Sequence, residues 1–209
     1  MKLINTIADF APNGMESGVG LALQDEQGRY IFFLAGTRHK CPPEEIFYAG
    51  IGGHRETGEN WLECAYREVE EEIGTEVKIV ASAQTWLVKK NEKIRKVTIK
   101  DQPTPFALYE MIHPPQTPRA GQNYRIVIYC AHLRGQPTNL AKDEVQGVIA
   151  LTKEQVIAGL DQKPTLVNLL DSGGQLIAGG ESLSEHTRLY PLGTARALAE
   201  IFRLTSDVE

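Results

Sequence analysis

The sequence predicts an α/β fold. Segments of strand composition recur along the chain, a strongly amphipathic helix interrupts them, and further helical patterns end the chain. Residues 18–23 (GVGLAL) and 30–35 (YIFFLA) flank QDEQGR and read as a β-hairpin turning near Gly28. A loop marked by Pro42 and Pro43 leads to 47–53 (FYAGIGG), a short strand running into a glycine turn. Residues 59–73 carry Leu62, Ala65, Val69 and Ile73 at spacings of three and four, with Tyr66 flanking this stripe. Thr57 or Gly58 is placed to begin that helix, Glu59 suits its N-terminal dipole, and Gly74 is placed to end it. Residues 76–88 read as a strand. Residues 89–122 are proline-rich and too long for a simple connection, the pattern of a substrate lid or an interface. Residues 124–133 (YRIVIYCAHL) and 145–151 (VQGVIAL) read as strands around a loop, and Thr152 with Gln155 forms a capping box opening a short helix.

The tail begins near residue 163. It reads as a helix over 164–171, a Gly-rich turn, a short strand, and a last helix over 194–204 with Ala197, Leu198, Ile201, Phe202 and Leu204 as its apolar positions. The division expected is a main domain over 1–162, its core starting at about residue 16, and an extension over 163–209. The extension packs on the core or forms an interface, which leaves room for a homodimer.

The chemistry is concentrated on the 59–73 helix. Glu68 and Glu72 are four apart and stack one turn above the other. Arg67 stands four after Glu63 and four before Glu71, in reach of either. Glu70, Glu71 and Glu72 in succession repel one another unless something neutralises them. A hard divalent cation does so: Mg²⁺ prefers carboxylate oxygens and keeps several waters, so it also accepts phosphate oxygens. The bland alternative is a solvated acidic face, the usual meaning of a charge run. Gly53, Glu59, Arg67, Glu68, Val69, Glu71, Glu72 and Gly74 in one register argue against it, since a chain of average composition would carry that set with a chance of roughly 10⁻⁷.

The segment GHRETGENWLECAYREVEEEIGT, from Gly53 to Thr75, resembles the Nudix box, G-x5-E-x7-R-E-U-x-E-E-x-G-U, with U a bulky aliphatic residue. It departs from that pattern only at the last position, where Thr75 stands. The resemblance implies the Nudix fold, a mixed sheet sandwiched between helices. It implies hydrolysis of a nucleoside diphosphate linked to another group, with Mg²⁺ or Mn²⁺ as cofactor. It implies Glu68 and Glu72 as principal metal ligands, joined by the Gly52 carbonyl, and Glu71 as a further ligand or as the carboxylate that orients water. Arg67 would hold Glu71, and Glu59 would tie the loop to the helix. Such supporting contacts fix ligand geometry. Glu144, in the loop before residues 145–151, stands where the family often supplies another carboxylate as ligand or general base, with Asp143 as its neighbour.

Substrate contacts are expected from Arg38, His39 and Lys40 in their loop and from His54 and Arg55 inside the box. Tyr48 and Trp86 either stack on a base or belong to the core. Arg95 and Lys96 are either contacts or surface charge. The subgroup signatures of ADP-ribose hydrolases, NADH diphosphatases, diadenosine polyphosphate hydrolases and coenzyme A hydrolases are absent, with Lys89 and Lys90 where the first would show a proline. Size and architecture favour a nucleoside diphosphate sugar such as ADP-ribose. The alternatives are a non-hydrolytic nucleotide-binding regulatory module, which the intact REVEEEIG opposes; an isomerase of isopentenyl diphosphate, whose catalytic cysteine Cys41 does not match; and an interaction protein working through its tail.

Composition sets the outer limits. Apolar residues at 42% and charged residues at 23% are ordinary for a folded globular chain. A net charge of −5 argues against general nucleic-acid binding, though a bound cation allows an acidic enzyme to take polyphosphates. No apolar run is long enough to span a membrane, and the start lacks the apolar core of a signal peptide. Cys41, Cys64 and Cys130 form neither a zinc pattern nor a disulfide framework, so the expected location is cytoplasmic.

Overall fold

The structure is a computed structural model and describes residues 3–113, 120–141 and 143–206. Its chain opens with a short helix α1 (Ile7–Phe10) capped by Thr6. Strands β1 (Ser17–Gln24), β2 (Tyr30–Ala35) and β3 (Glu45–Gly50) follow, then helix α2 (Trp61–Ile73). Next come β4 (Val77–Val80), β5 (Thr85–Lys89), β6 (Arg95–Val97), β7 (Ala107–Ile112), β8 (Asn123–Leu133) and β9 (Val145–Leu151). Helices α3 (Lys153–Ala158) and α4 (Leu166–Asp171), strands β10 (Gln175–Gly179) and β11 (Arg188–Pro191), and helix α5 (Thr194–Ser206) complete it.

All the strands belong to one 11-stranded mixed sheet ordered β10-β9-β2-β1-β8-β7-β5-β6, with β3 joined to β2, β11 to β3 and β4 to β8. Side chains alternate across it, as the pleat requires. Ile31 and Phe33 of β2 face one layer of core with Val69 and Ile73 of α2. Phe32 and Leu34 face the other, with Leu198 and Ile201 of α5. The expected mixed sheet between helices is therefore the observed architecture.

The β1–β2 hairpin is real only next to its turn. The strands pair at Gln24↔Tyr30 and then part. The third segment enters the gap. β3 pairs with β2 from Phe32↔Gly50 to Leu34↔Tyr48. The chain beyond it turns to β1, where Leu21 N donates to the Ile51 carbonyl and Val19 N to the Gly53 carbonyl, each at 2.9 Å. The outer edge of β1 is taken by β8, parallel, from Ser17↔Arg125 to Gln24↔His132. Long-range partners thus satisfy the backbone groups that a closed hairpin would have paired locally.

The tail is built into this sheet. β10 adds antiparallel to β9, and β11 adds parallel to β3. Thr194, the first residue of α5, seats in a notch between Gly20 and Gly50, where a Cβ on either glycine would fall 2.0 Å and 2.7 Å from Thr194 atoms. Only glycine lets the helix start lie that close to the parted strands.

Other expectations need correction. Residues 76–88 form two strands, β4 and β5, which pair with β8 and with β6 and β7 respectively. The 89–122 segment contains β6 and the interior strand β7, whose alternation its prolines obscured; residues 114–119 of it lie outside the described residues. Of the two readings for Tyr48 and Trp86, the core one holds: they are 1% and 5% exposed. The helix starts later than expected, because Asn60 rather than Thr57 or Gly58 is its cap and Glu63 completes the capping box. Among the described residues, no helix is long and apolar enough to cross a membrane.

Candidate active site

The glycine turn at 52–53 and helix α2 bring the box residues together. α2 ends at Gly74, which adopts a left-handed conformation and donates its amide to the Glu70 carbonyl. Its buried face is Cys64, Ala65, Val69 and Ile73, and Glu72 lies with them rather than on the solvent side. A helical projection sets Glu72 away from the apolar stripe, but the face buried on the sheet is wide enough to take one carboxylate inside. Leu62 is only partly buried, and Cys64 fills the position the stripe needs.

Arg67 is the centre of the arrangement. Its Nε donates to Glu59 Oε1 at 2.8 Å and its Nη2 to Glu59 Oε2 at 3.1 Å. Its Nη1 donates to Glu68 Oε1 at 2.8 Å and to Glu71 Oε2 at 3.0 Å. Nη2 also donates to the His54 carbonyl at 2.9 Å. A planar guanidinium with several fixed donors suits this role, and a point-like ammonium does not. Glu63, the other partner open to Arg67 by spacing, instead accepts from the Asn60 amide. Glu59 also accepts from the Glu56 amide at 2.9 Å, tying the loop to the helix.

The carboxylates differ in environment. The hydrogen bond from Arg67 holds Glu59 below the usual carboxylate range, and the three carboxylates around Arg67 hold its guanidinium proton more tightly than usual. Burial pushes Glu68 up, against the pull of Arg67. Burial pushes Glu72 well above the usual range, and the charges of Glu68 and Glu71 add to it. The one hydrogen bond to the Glu72 carboxylate seen among the described residues comes from the Gly52 amide at 2.9 Å. Glu71 projects outward and is 59% exposed. Glu70 is exposed as well.

These residues fit a hard cation. Glu68 lies directly over Gly53, where a Cβ would stand 2.4 Å from its Oε2, so the backbone leaves a cradle filled by carboxylate oxygens. Glu72, buried and raised in pKa, is a carboxylate whose charge requires a counter-charge. Oxygen-only donors of this kind are the Mg²⁺ and Mn²⁺ set. Glu68, Glu71, Glu72 and the Gly52 carbonyl would hold the ion.

Glu144 stands on a loop fixed to the end of α2. The loop before β9 folds over the C-terminal end of α2: Thr138 N donates to the Ile73 carbonyl, Ala141 N to the Glu72 carbonyl, and Glu144 N to the Ala141 carbonyl. The Glu144 carboxylate pairs with Arg38 and is 32% exposed. His39 packs between Phe33 and Phe47, with ring centroids at 6.2 and 5.0 Å, and burial lowers its pKa. A cleft of about 330 Å³ opens beside this loop, lined by Gly36, His39, Cys41, Glu45, Gln146 and Thr187 among others. Arg55 lies over the Trp61 ring at 4.4 Å and donates to the Glu59 carbonyl, a supporting position within the box. Lys96 covers the Trp86 ring on the far side of the sheet.

Sequence reasoning missed Glu16 and His113, which meet His54 at the edge of the box. His54 Nε2 lies 2.7 Å and His113 Nε2 3.4 Å from Glu16 Oε1. No local pattern links positions 16, 54 and 113; only the strand register does. All three cysteines are free thiols, and burial pushes Cys64 up to about 12.

The NUDIX-domain family model matches residues 15–169. That is well over half of the chain, and the chain belongs to the Nudix hydrolase family. Similar solved structures are these. A MutT protein from Methanosarcina mazei Go1 is 11% identical, with a TM-score of 0.51 over 91% of this chain and 94% of that one. An Ap4A hydrolase from C. elegans is 14% identical, with a TM-score of 0.48 over 93% of this chain and 100% of that one. A Nudix hydrolase from Nitrosomonas europaea is 14% identical, with a TM-score of 0.46 over 68% of this chain and 76% of that one. No curated protein matches the sequence.

Proposed function

We propose that the protein is a metal-dependent diphosphohydrolase. It cleaves the diphosphate linkage of a nucleoside diphosphate derivative, favouring a nucleotide sugar of the ADP-ribose type. The products are a nucleoside monophosphate and a phosphorylated partner, and the setting is the cytoplasm. Residues 1–162 act as the hydrolytic unit, and 163–209 as an extension of its sheet and core. The observation that carries the reading is Glu68 over Gly53 and Glu72 on the Gly52 amide, with Arg67 bound to Glu68 and Glu71.

Bound Mg²⁺ or Mn²⁺ supplies charge neutralisation at the diphosphate and a more acidic water. The chain's residues do the rest. Arg67 holds Glu68 and Glu71 in place, and Glu59 holds Arg67. Glu71, exposed and bonded by Arg67 at one carboxylate oxygen, is the first candidate to orient the attacking water, and Glu144 is the second. The Gly52 amide orients the Glu72 carboxylate.

The test is a panel of nucleoside diphosphate derivatives with Mg²⁺ or Mn²⁺, products resolved by chromatography. Turnover should vanish with a chelator and return with either ion. Turnover that a chelator leaves undiminished would sink the assignment. Nucleotide binding without any turnover would favour a regulatory module.

A further inference from the structure

Three residues far apart in sequence meet at one end of the sheet. Glu16 precedes β1, His54 follows the box glycine, and His113 follows β7. Strand register brings them together. Ser17 stands beside Arg125, so Glu16 lies at the start of β8. An isolated bridge sets His54 against Gly18. Ile112 stands opposite Asn123, and His113 N donates to the Gln122 carbonyl at 2.9 Å.

One donor atom from each of Glu16, His54 and His113 falls within 4.8 Å of the other two. Glu16 Oε1 is 2.7 Å from His54 Nε2 and 3.4 Å from His113 Nε2. Ligands around a tetrahedral ion at about 2.0–2.2 Å stand roughly 3.3 Å apart, so changes of up to about 1.5 Å, opening the closest pair and drawing in the widest, would set the three donors around an ion. The imidazoles are already held in place. His54 stacks on Tyr124 with centroids 4.6 Å apart and planes 18° apart, and His113 lies beside the same ring at 5.2 Å. His113 Nε2 is closed off from solvent and makes no hydrogen bond of good geometry, which leaves a buried nitrogen aimed at Glu16. Such a group costs stability unless something occupies it.

We propose that Glu16, His54 and His113 form a second metal site, one for a borderline transition-metal ion of the Zn²⁺ class. Imidazole ligands select Zn²⁺, Co²⁺ or Ni²⁺ over Mg²⁺, which prefers oxygen. The site is therefore chemically distinct from the carboxylates of α2. It adjoins them, because the backbone of His54 accepts from Arg67. Two histidines and one carboxylate leave a coordination position open to water or to a phosphate oxygen.

The test uses the full chain stripped of metal. Co²⁺ is titrated in the presence of excess Mg²⁺ and followed by visible absorption, and Zn²⁺ is measured by equilibrium dialysis. Glu68→Gln/Glu72→Gln, which removes the oxygen site, should still bind about one equivalent. His113→Ala should weaken binding by about 100-fold or more, given that even outer contacts change metal affinity by 10–100-fold. Wild-type protein that retains no Zn²⁺ or Co²⁺ against Mg²⁺ would overturn the proposal, whether or not the variants fold. So would binding lost in the glutamate variant and kept in folded His113→Ala, which would place the ion on α2. The proposal does not depend on hydrolysis, since every readout is binding.

Discussion

Arg67 grips Glu59 with two nitrogens, Nε on Oε1 at 2.8 Å and Nη2 on Oε2 at 3.1 Å. This pair joins the loop before the helix to the helix itself, and the remaining Arg67 donors reach Glu68 and Glu71. One side chain therefore couples the stability of the turn to the position of the carboxylates.

Arg67→Lys should separate these roles from simple charge. A lysine keeps the positive charge but cannot meet Glu59, Glu68 and Glu71 together. Turnover is expected to fall by about 10–100-fold, the scale seen when supporting contacts to metal ligands are lost. The pH dependence of melting should change as well. Glu59 has a lowered pKa, so its contribution is fully present above the ordinary carboxylate range and is lost as pH falls through the lowered value. The acid side of the melting-temperature profile should flatten in the variant. Wild-type kcat in a folded lysine variant would remove Arg67 from the site.

Gly53→Ala tests the cradle. The new Cβ would stand 2.4 Å from Glu68 Oε2 and 2.6 Å from Oε1. The obstacle is the mobile end of a side chain, so the backbone can stay and Glu68 must move. Melting should shift by only a few degrees, a change of about 1 kcal/mol in stability. Turnover should drop by about 100-fold, with weaker Mg²⁺ activation. Collapse of the fold with no active fraction, or unchanged metal dependence, would show that Glu68 is not held against this glycine for chemistry.

The box was legible because its logic is local. Glu59, Arg67, Glu68, Glu71 and Glu72 lie close in sequence, and helix geometry alone predicts which of them stack. The boundaries of β2, β8 and β9 were legible for a similar reason: each is an apolar run ended by turn chemistry. What stayed hidden depends on tertiary pairing. QDEQGR marks a turn, but no turn signal says that β3 will part the strands it joins. β7 hides among prolines because its partners, β5 and β8, are distant. Glu72 looks solvent-facing in a helical projection, and only the packing of α2 on the sheet puts it at 5% exposure. Glu16 and His113 carry no motif at all.

Glu72→Gln should act oppositely on stability and activity. Burial raises the Glu72 pKa well above the usual range. In metal-free protein, the stability due to its protonated form is fully present below the ordinary carboxylate pKa. It is lost as pH rises toward the raised folded value. The glutamine variant carries no such charge, so its metal-free melting temperature should exceed the wild-type value at neutral pH and vary less with pH. Added Mg²⁺ should stabilise the wild type and leave the variant nearly unchanged, while turnover falls by at least ~100-fold. Glu70→Gln is the control, since Glu70 is exposed at a free position of the box. Equal losses in both variants would show that overall helix charge matters and that Glu72 is no special ligand.

Glu144→Gln asks whether the loop before β9 supplies a catalytic carboxylate. Ala141 and Glu144 are joined in sequence to the Glu72 carbonyl by backbone hydrogen bonds, so this loop is fixed to the carboxylate end of α2. The Glu144 side chain is paired with Arg38, which restrains it and also competes for it. If Glu144 activates or orients the water, its amide should lower kcat more than it raises KM, by about 10²–10⁴-fold. Arg38→Ala then distinguishes two roles for the pair. Should Arg38 only position Glu144, its removal lowers kcat and leaves KM little changed. Should Arg38 bind substrate phosphate, KM rises while the Glu144→Gln effect persists. Steady-state kinetics on both single variants and the double variant measure the coupling. Nearly full kcat in Glu144→Gln would exclude it from the chemistry and leave Glu71, exposed beside Arg67, as the carboxylate that handles water.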